Sequence, residues 1–288
     1  MAVENNTIVK NDVAKVRAID FNYQFVGNLS KFMEILGVTR KIAVQEGTTL
    51  KALKVTGTLE SGTVAEGELI PLSHYATEEV PMGEAVLGKW RKATTAEAIL
   101  KGGYEQAVGA TTDKLVKDVQ KKIRADLFTF MAKGTGKANG STLQESLANG
   151  WGNLQVLFED DAVETVYFLN PLDVAEYLGS AQITVQTAFG LNYVENFLGL
   201  GTVILSANVP KGKYYATAKE NIVTYYINVA SGDIAQAFGL TTDESGYVGI
   251  REYADEDHAR VTDLIMSGVT FFPERLDGIV VGTIGAGA

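Results

Sequence analysis

The clearest periodicity in the chain runs from Leu115 to Met131. At about 100° per residue, Leu115, Val116, Val119, Ile123, Leu127, Phe130 and Met131 fall within an arc of about 160°, one apolar face of a helix. Thr112 or Asp113 is the expected N-cap and Gly134 the stop, which gives a rod of roughly 33 Å, with room to extend back to Tyr104. Asp126 falls inside the apolar arc and Phe128 outside it, so Phe128 reads as an exposed aromatic or as the mark of a second packing partner. Upstream the pattern is weaker. Val13, Val16, Ile19, Phe21, Tyr23, Phe25 and Val26 lie among polar residues and predict an extended arm, with a brief helix from Ser30 closed by Gly37. Leu53, Val55 and Leu59 alternate with polar residues, Gly62 and Gly67 punctuate an acidic loop, and Val80 to Trp90 returns in strand fashion. The span Thr48 to Thr95 therefore predicts a long β-hairpin, poor in large apolar residues. Two strands alone are marginal in water, so it needs outside support or must fold back on its own domain.

Beyond the long helix, GTGKANGS (Gly134 to Ser141) is a glycine-rich joint, read as a flexible hinge and domain boundary. Helices are expected at Thr142 to Leu157, at Pro171 to Leu178 with Pro in the first turn, and at Asp233 to Phe238. Strands are expected at Thr165 to Asn170, Gly201 to Ala207, Lys213 to Ala218, Ile222 to Val229, Tyr247 to Tyr253, Arg260 to Phe272 and Gly278 to Ile284. No internal repeat is visible.

Composition narrows the function classes. The 288 residues allow about two domains. With 46% hydrophobic residues the chain can bury a core, which excludes wholesale disorder. There is no cysteine, which removes disulfides, cysteine-zinc sites, iron–sulfur clusters and thiol nucleophiles together. The net charge of −10 argues against a protein whose main work is gripping phosphate backbones. The start, MAVENNTIVK, lacks a basic, apolar export signal, and no apolar run is long enough to span a membrane, so a cytoplasmic site of synthesis is expected.

Candidate chemistry is sparse. Of the two histidines, His74 stands in a polar loop and His258 follows Asp255, Glu256 and Asp257. That cluster is the best acidic or metal site on offer, but consecutive acids point in different directions, so a solvated turn is the competing reading. Glu159, Asp160 and Asp161 share this ambiguity. Gly134, Gly136 and Lys137 suggest a phosphate loop, yet Met131 stands where its first glycine belongs and Ala138 where Ser or Thr follows the lysine. Asn139 likewise breaks a dinucleotide fingerprint. Lys114, Lys117, Lys121, Lys122 and Arg124 make a basic helix face without the interleaved aromatics of a nucleic-acid platform. No catalytic, cofactor-binding or metal-ligating residue is assigned.

The layout, and in particular EGELIPLS (Glu66 to Ser73), GKWRKATTAEAI (Gly88 to Ile99), VYFLNPLDVAEYL (Val166 to Leu178) and FFPERLDGIVVGTI (Phe271 to Ile284), resembles the major capsid protein of tailed double-stranded DNA phages, the Hong Kong 97-type fold. The resemblance implies an α+β fold with an N-terminal arm (1–47), an extended hairpin loop (48–95) lying over a neighbouring subunit, a peripheral domain with a spine helix (96–135 and 244–288), and an axial domain (136–243). It implies a non-enzymatic head protein that forms pentamers and hexamers of an icosahedral shell around double-stranded DNA, maturing from procapsid to capsid. A separate scaffolding protein and a portal would be partners, with no membrane and no cofactor. Assembly would take place in the host cytoplasm and the product would be the virion. Phe128 and the helix lysines would face a neighbour or the scaffold, and the joint near Gly134 to Gly140 would absorb motion. An encapsulin-like compartment shell shares the resemblance; a soluble α/β enzyme using Asp255 to His258 is the alternative of another class.

Overall fold

A computed structural model of the chain describes residues 10–65, 67–158, 163–180, 185–188, 190–231 and 233–285. The expected extended arm is one helix of 27 residues, α1 (Lys10–Leu36). Ala18, Asn22, Phe25, Leu29, Phe32, Met33 and Leu36 lie three or four residues apart along one buried stripe, and Phe25, Leu29, Phe32 and Leu36 are fully enclosed. The periodicity was masked because a polar residue occupies the stripe: Asn22 donates from Nδ2 to the carbonyls of Thr241 (3.1 Å) and Val248 (3.0 Å). Phe21, Tyr23 and Phe25 also alternate as in a strand. Gly37, at φ 69°, ends the helix in a Schellman turn, with Val38 N–H bonded to the Met33 carbonyl and Gly37 N–H to that of Glu34.

A short strand β1 (Lys41–Ala43) leads to the hairpin β2 (Thr49–Thr58) and β3 (His74–Glu84), which pair antiparallel with each other alone. The return strand starts earlier than expected, at His74, and ends at Glu84. Ala85 and Leu87 are buried beside Met266 and Phe272, so the chain dives into the core and β4 (Gly88–Thr95) joins another sheet. Thr95 caps α2 (Ala96–Gly102), Gly103 at φ 77° breaks it, and a π-turn at Glu105–Gly109 runs directly into α3 (Ala110–Met131). Neither Thr112 nor Asp113 is the cap; Thr112 is buried inside the helix.

Phe128 is a correction as well. It is buried, edge-on to Phe168 with centroids 5.5 Å apart, while Phe130 meets Phe272 at 5.3 Å on another side. The helix is packed on two sides, so its buried arc is wider than the apolar stripe shows. Asp126 points outward and pairs with Lys122.

The glycine-rich joint is a strand, β5 (Gly136–Gly140), not a flexible hinge. A Cβ on Gly134 would come within 2.5 Å of the Ile279 side chain, and one on Gly136 within 2.8 Å of the Ile279 carbonyl, so close approach explains these glycines. Thr142 then caps α4 (Leu143–Leu157), followed by β6 (Thr165–Leu169) and α5 (Pro171–Ser180). Two strands without clear alternation, β7 (Gln186–Ala188) and β8 (Leu191–Phe197), precede β9 (Gly201–Leu205) and β10 (Lys213–Ala218). After β11 (Ile222–Tyr226), α6 (Asp233–Phe238) and β12 (Thr241–Thr242), the tail forms β13 (Val248–Asp255), β14 (Arg260–Ser267), β15 (Thr270–Pro273) and β16 (Ile279–Ile284).

The result is an α+β architecture. The largest sheet runs β5-β16-β10-β6-β9-β8-β7, with β5–β16 and β6–β9 parallel and the other pairs antiparallel. Every residue of β6 is buried: Val166 and Phe168 join the core that contains α1 and α3, and Tyr167 and Leu169 the core beneath α4. A second, antiparallel sheet runs β12-β13-β14-β4, and a third β1-β11-β15. The tail is therefore shared among three sheets, and the expected run Arg260 to Phe272 breaks at Gly268, where a Cβ would lie 2.7 Å from Ile227.

Phe32 is enclosed and edge-on to Phe271 at 5.3 Å. Phe32→Ala is expected to cost about 3–5 kcal/mol in denaturant unfolding. An effect within about 0.5 kcal/mol, as for an exposed position, would restore the extended arm.

Candidate functional site

The hairpin is the most exposed ordered feature. Its base is anchored: Leu50 and Ala52 on β2 pack with Ile227, Val229 and Phe272. Beyond the base it carries Leu59, Leu69, Ile70, Leu72 and Tyr75 with most of their surface open, Leu69 at 93% and Leu72 at 92%. At about 3.3 Å per residue the paired strands reach roughly 33 Å from base to tip. An apolar tip at the end of a two-stranded ribbon is costly to leave in water, and it marks a surface built to be covered.

Among the described residues, the charged clusters singled out in the sequence form local pairs. On α3, Lys114 pairs with Asp118 and Lys122 with Asp126 one turn on, so the basic face is partly neutralised by the helix's own acids. Lys117 and Lys121 are exposed, and burial holds the Arg124 guanidinium below its ordinary pKa. Asp255 and His258 close the β13–β14 hairpin. The Asp255 carboxylate is held by His258 Nδ1 at 3.1 Å and accepts from Arg260 Nε at 2.7 Å, contacts that keep it below the usual carboxylate range. Arg260 is its cross-strand partner, and Glu256 and Asp257 point into solvent. This is a turn fastened by its own ions. His74 is exposed at the start of β3. Among the described residues, no three His, Asp or Glu side chains converge on a metal position. Glu159, Asp160 and Asp161 lie outside the described residues. No described helix is long and apolar enough to cross a membrane.

What the sequence reasoning missed is a charged row under the long helix. Glu252 on β13, Asp263 on β14 and Lys92 on β4 are consecutive cross-strand partners, so they share one face of the sheet. Asp263 is buried; it bonds Lys92 Nζ at 2.7 Å and accepts from Thr112 Oγ1 at 2.8 Å. Glu252 accepts from the Tyr104 hydroxyl and faces Arg17 Nη1 at 3.6 Å. Burial pushes the Glu252 carboxyl up; the Tyr104 hydrogen bond opposes this and the Asp263 charge reinforces it. Burial also raises the Tyr104 phenol, so it remains a donor. The available signal was Asp263, a lone acid within an apolar strand, but its partners are 171 and 151 positions away in sequence for Lys92 and Thr112.

No protein-family model matches the chain, and no curated protein matches its sequence. Solved structures do. A virus-like particle protein from Pyrococcus furiosus is 13% identical, with 92% of this chain and 98% of that chain covered at a TM-score of 0.51. A structure from Gordonia phage Cozz is 12% identical over 89% and 87%, with a TM-score of 0.54. The capsid of cyanophage P-SCSP1u is 10% identical over 87% and 86%, also with a TM-score of 0.54. At such identities the likeness is one of fold, and it extends over nearly the whole chain.

Asp263→Ala removes the buried carboxylate beside the part-buried Lys92 ammonium and is expected to cost up to about 3 kcal/mol. Lys114→Ala, which opens an exposed pair, should cost only about 0.3–0.5 kcal/mol. Because the folded Glu252 holds its proton more tightly than the unfolded chain does, its ionisation draws on stability as pH rises through and above the ordinary carboxylate range. Glu252→Gln should flatten that part of a stability-against-pH profile, and an unchanged slope there would refute the assignment.

Proposed function

We propose that this chain, which has the Hong Kong 97-type capsid fold, is a shell protein: the major head protein of a tailed phage, self-assembling into an icosahedral container for double-stranded DNA. The observation that carries the reading is the hairpin. On a fold otherwise well packed, a ribbon of roughly 33 Å ends in exposed Leu69, Ile70 and Leu72. A second copy, gripping the tip of one chain while offering its own to the next, covers every tip by closed symmetry. Residues 48–84 are then the extended loop, with α2, α3 and the β12-β13-β14-β4 sheet as the peripheral domain. The seven-stranded sheet, with α4 and α5, is the axial domain, and it includes β16 from the tail. Pentamers and hexamers, a scaffolding protein, a portal and the virion as destination belong to the same proposal, as does a precursor shell that later rearranges. The net charge of −10 suits a wall that encloses DNA without binding it tightly. A second reading on the same fold is an encapsulin-like compartment shell with protein contents. Identifying the packaged material as nucleic acid or protein separates the two.

Electron microscopy of the purified protein under assembly conditions is expected to show closed shells. Replacing Leu69, Ile70 and Leu72 together by Ser should leave the chain's melting transition in place while abolishing shells. Normal shells from that variant, or an unfolded monomer, would sink the intersubunit role of the hairpin.

A further inference from the structure

In an uninterrupted α-helix, positions 104 and 112 project about 80° apart, eight steps of about 100°. Here the Ala110 amide bonds the Glu105 carbonyl five residues back, and the π-turn absorbs one residue. Seven effective steps leave the two positions only about 20° apart. Tyr104 and Thr112 thus share a face, where the sheet presents the cross-strand couple Glu252 and Asp263 to receive their hydroxyls. The slack is pinned from two sides. Lys92 Nζ donates to the Val108 carbonyl at 3.0 Å and Thr94 Oγ1 to that of Ala107 at 3.4 Å. Thr111 Oγ1 donates back to Ala107 at 2.8 Å, and the one Thr112 hydroxyl proton is shared between the Asp263 carboxylate and the Val108 carbonyl, 2.7 Å away. Gly109 faces the Glu105 carboxylate, and a Cβ there would crowd it and lie 3.0 Å from Arg17 Nη2, so two side-chain ends would have to move to admit a larger residue. Arg17 itself lies over the Tyr104 ring at 5.3 Å, adding α1 to the contact.

We propose that the π-turn at Glu105–Gly109 is a register latch: the helix has a second, regular α register, and Lys92 and Asp263 hold it out of that register. When they part, the turn loses one residue of slack. The helical residues between Gly103 and the turn, Tyr104 included, then rotate by about 100° and shift by about 1.5 Å against α3, taking Tyr104 off Glu252 and drawing α2 along through the break at Gly103. Lys92 sits on the strand that leaves the hairpin base after residues 85–87, so a pull on the hairpin reaches the latch directly. In a shell, a neighbour that holds the hairpin would set the helix register. This last link rests on the shell reading; the latch does not.

The cysteine-free chain permits a clean test. Spin labels at Lys101→Cys and Lys117→Cys, both exposed in the native chain, report α2 against α3. A 100° turn moves Tyr104 at the helix surface by about 8 Å, and α2 is joined to Tyr104 through Gly103 alone, so the Lys101 label is displaced with it. In free chains, Lys92→Met/Asp263→Leu, which removes both charges and leaves neither buried alone, should add a second interlabel distance to the single one of the parent. Lys89→Met, on the opposite face of β4, should not. One unchanged distance in the double variant overturns the latch, and so does loss of folding in that variant, which would make the row a simple structural support. In assembled particles of the labelled parent, a second distance supports control by the neighbour, and the free-chain distance alone removes that link while leaving the latch standing. Failure to form particles counts against the shell reading and does not alter the free-chain result.

Discussion

Helix α3 buries large side chains on more than one side, and the positions of the surrounding sheets follow from that demand. Phe128 takes Phe168 from the centre of the seven-stranded sheet, Phe130 takes Phe272 from the three-stranded sheet, and Val116, Val119 and Ile123 share a core with α1. A helix that satisfied only one face could lie on one sheet as a separate layer. With several faces to cover, the chain brings distant segments together around one rod, which is why the tail contributes to three sheets. α1 completes the enclosure, with Phe32 against Phe271 and Asn22 tied to the Val248 carbonyl at the start of β13.

The legible elements were those whose local pattern and tertiary surroundings agree. The α3 stripe, the Pro at the start of α5 and the short run that forms β10 are local in sequence and read correctly. In α1 the end was legible, from Ser30 to the Gly37 stop; the part before it was not, because Asn22 interrupts the apolar stripe, and only the carbonyls of Thr241 and Val248, more than two hundred residues on, make an amide acceptable there. The joint at Gly134 failed for a related reason. Glycine signals either freedom or close approach, and the side chain that makes approach the answer, Ile279, lies far along the chain. Strands β7 and β8 carry too little alternation to announce themselves. The order of elements supported the fold resemblance even where single elements were misread. The charged row was illegible as a site because Lys92, Thr112, Glu252 and Asp263 meet only through strand register.

The hairpin shows how a folded monomer can remain incomplete. Its base is held by Leu50, Ala52, Ala85 and Leu87 in a real core, so the ribbon is not an unfolded tail. Its outer half has no such support and displays apolar side chains that no described part of the same chain covers. Without cysteine, no disulfide can staple it. In the shell reading, stability comes from repetition: each contact need only be moderate, because closure makes every subunit hold several neighbours at once. Mutual repulsion between chains of net charge −10 opposes premature association, so assembly then depends on specific burial at tips like Leu69 and Leu72.

The charged row explains how rigidity and mobility can coexist around α3. Two carboxylates placed directly across adjacent strands repel one another, and burial strengthens that repulsion. Lys92, Arg17, Tyr104 and Thr112 offset it, each from a different element, and Tyr104 and Thr112 can reach together only because the π-turn realigns the helix faces. The helix register and the charge balance of the sheet are therefore one equilibrium. Parting one contact leaves a buried charge exposed to its like-charged neighbour, and that penalty is relieved fastest by motion of the groups nearby. Below the π-turn, α3 is clamped by aromatic packing and has no comparable alternative. Strain applied through the hairpin base is thus absorbed at residues 105–109, while the core on which the fold depends stays closed.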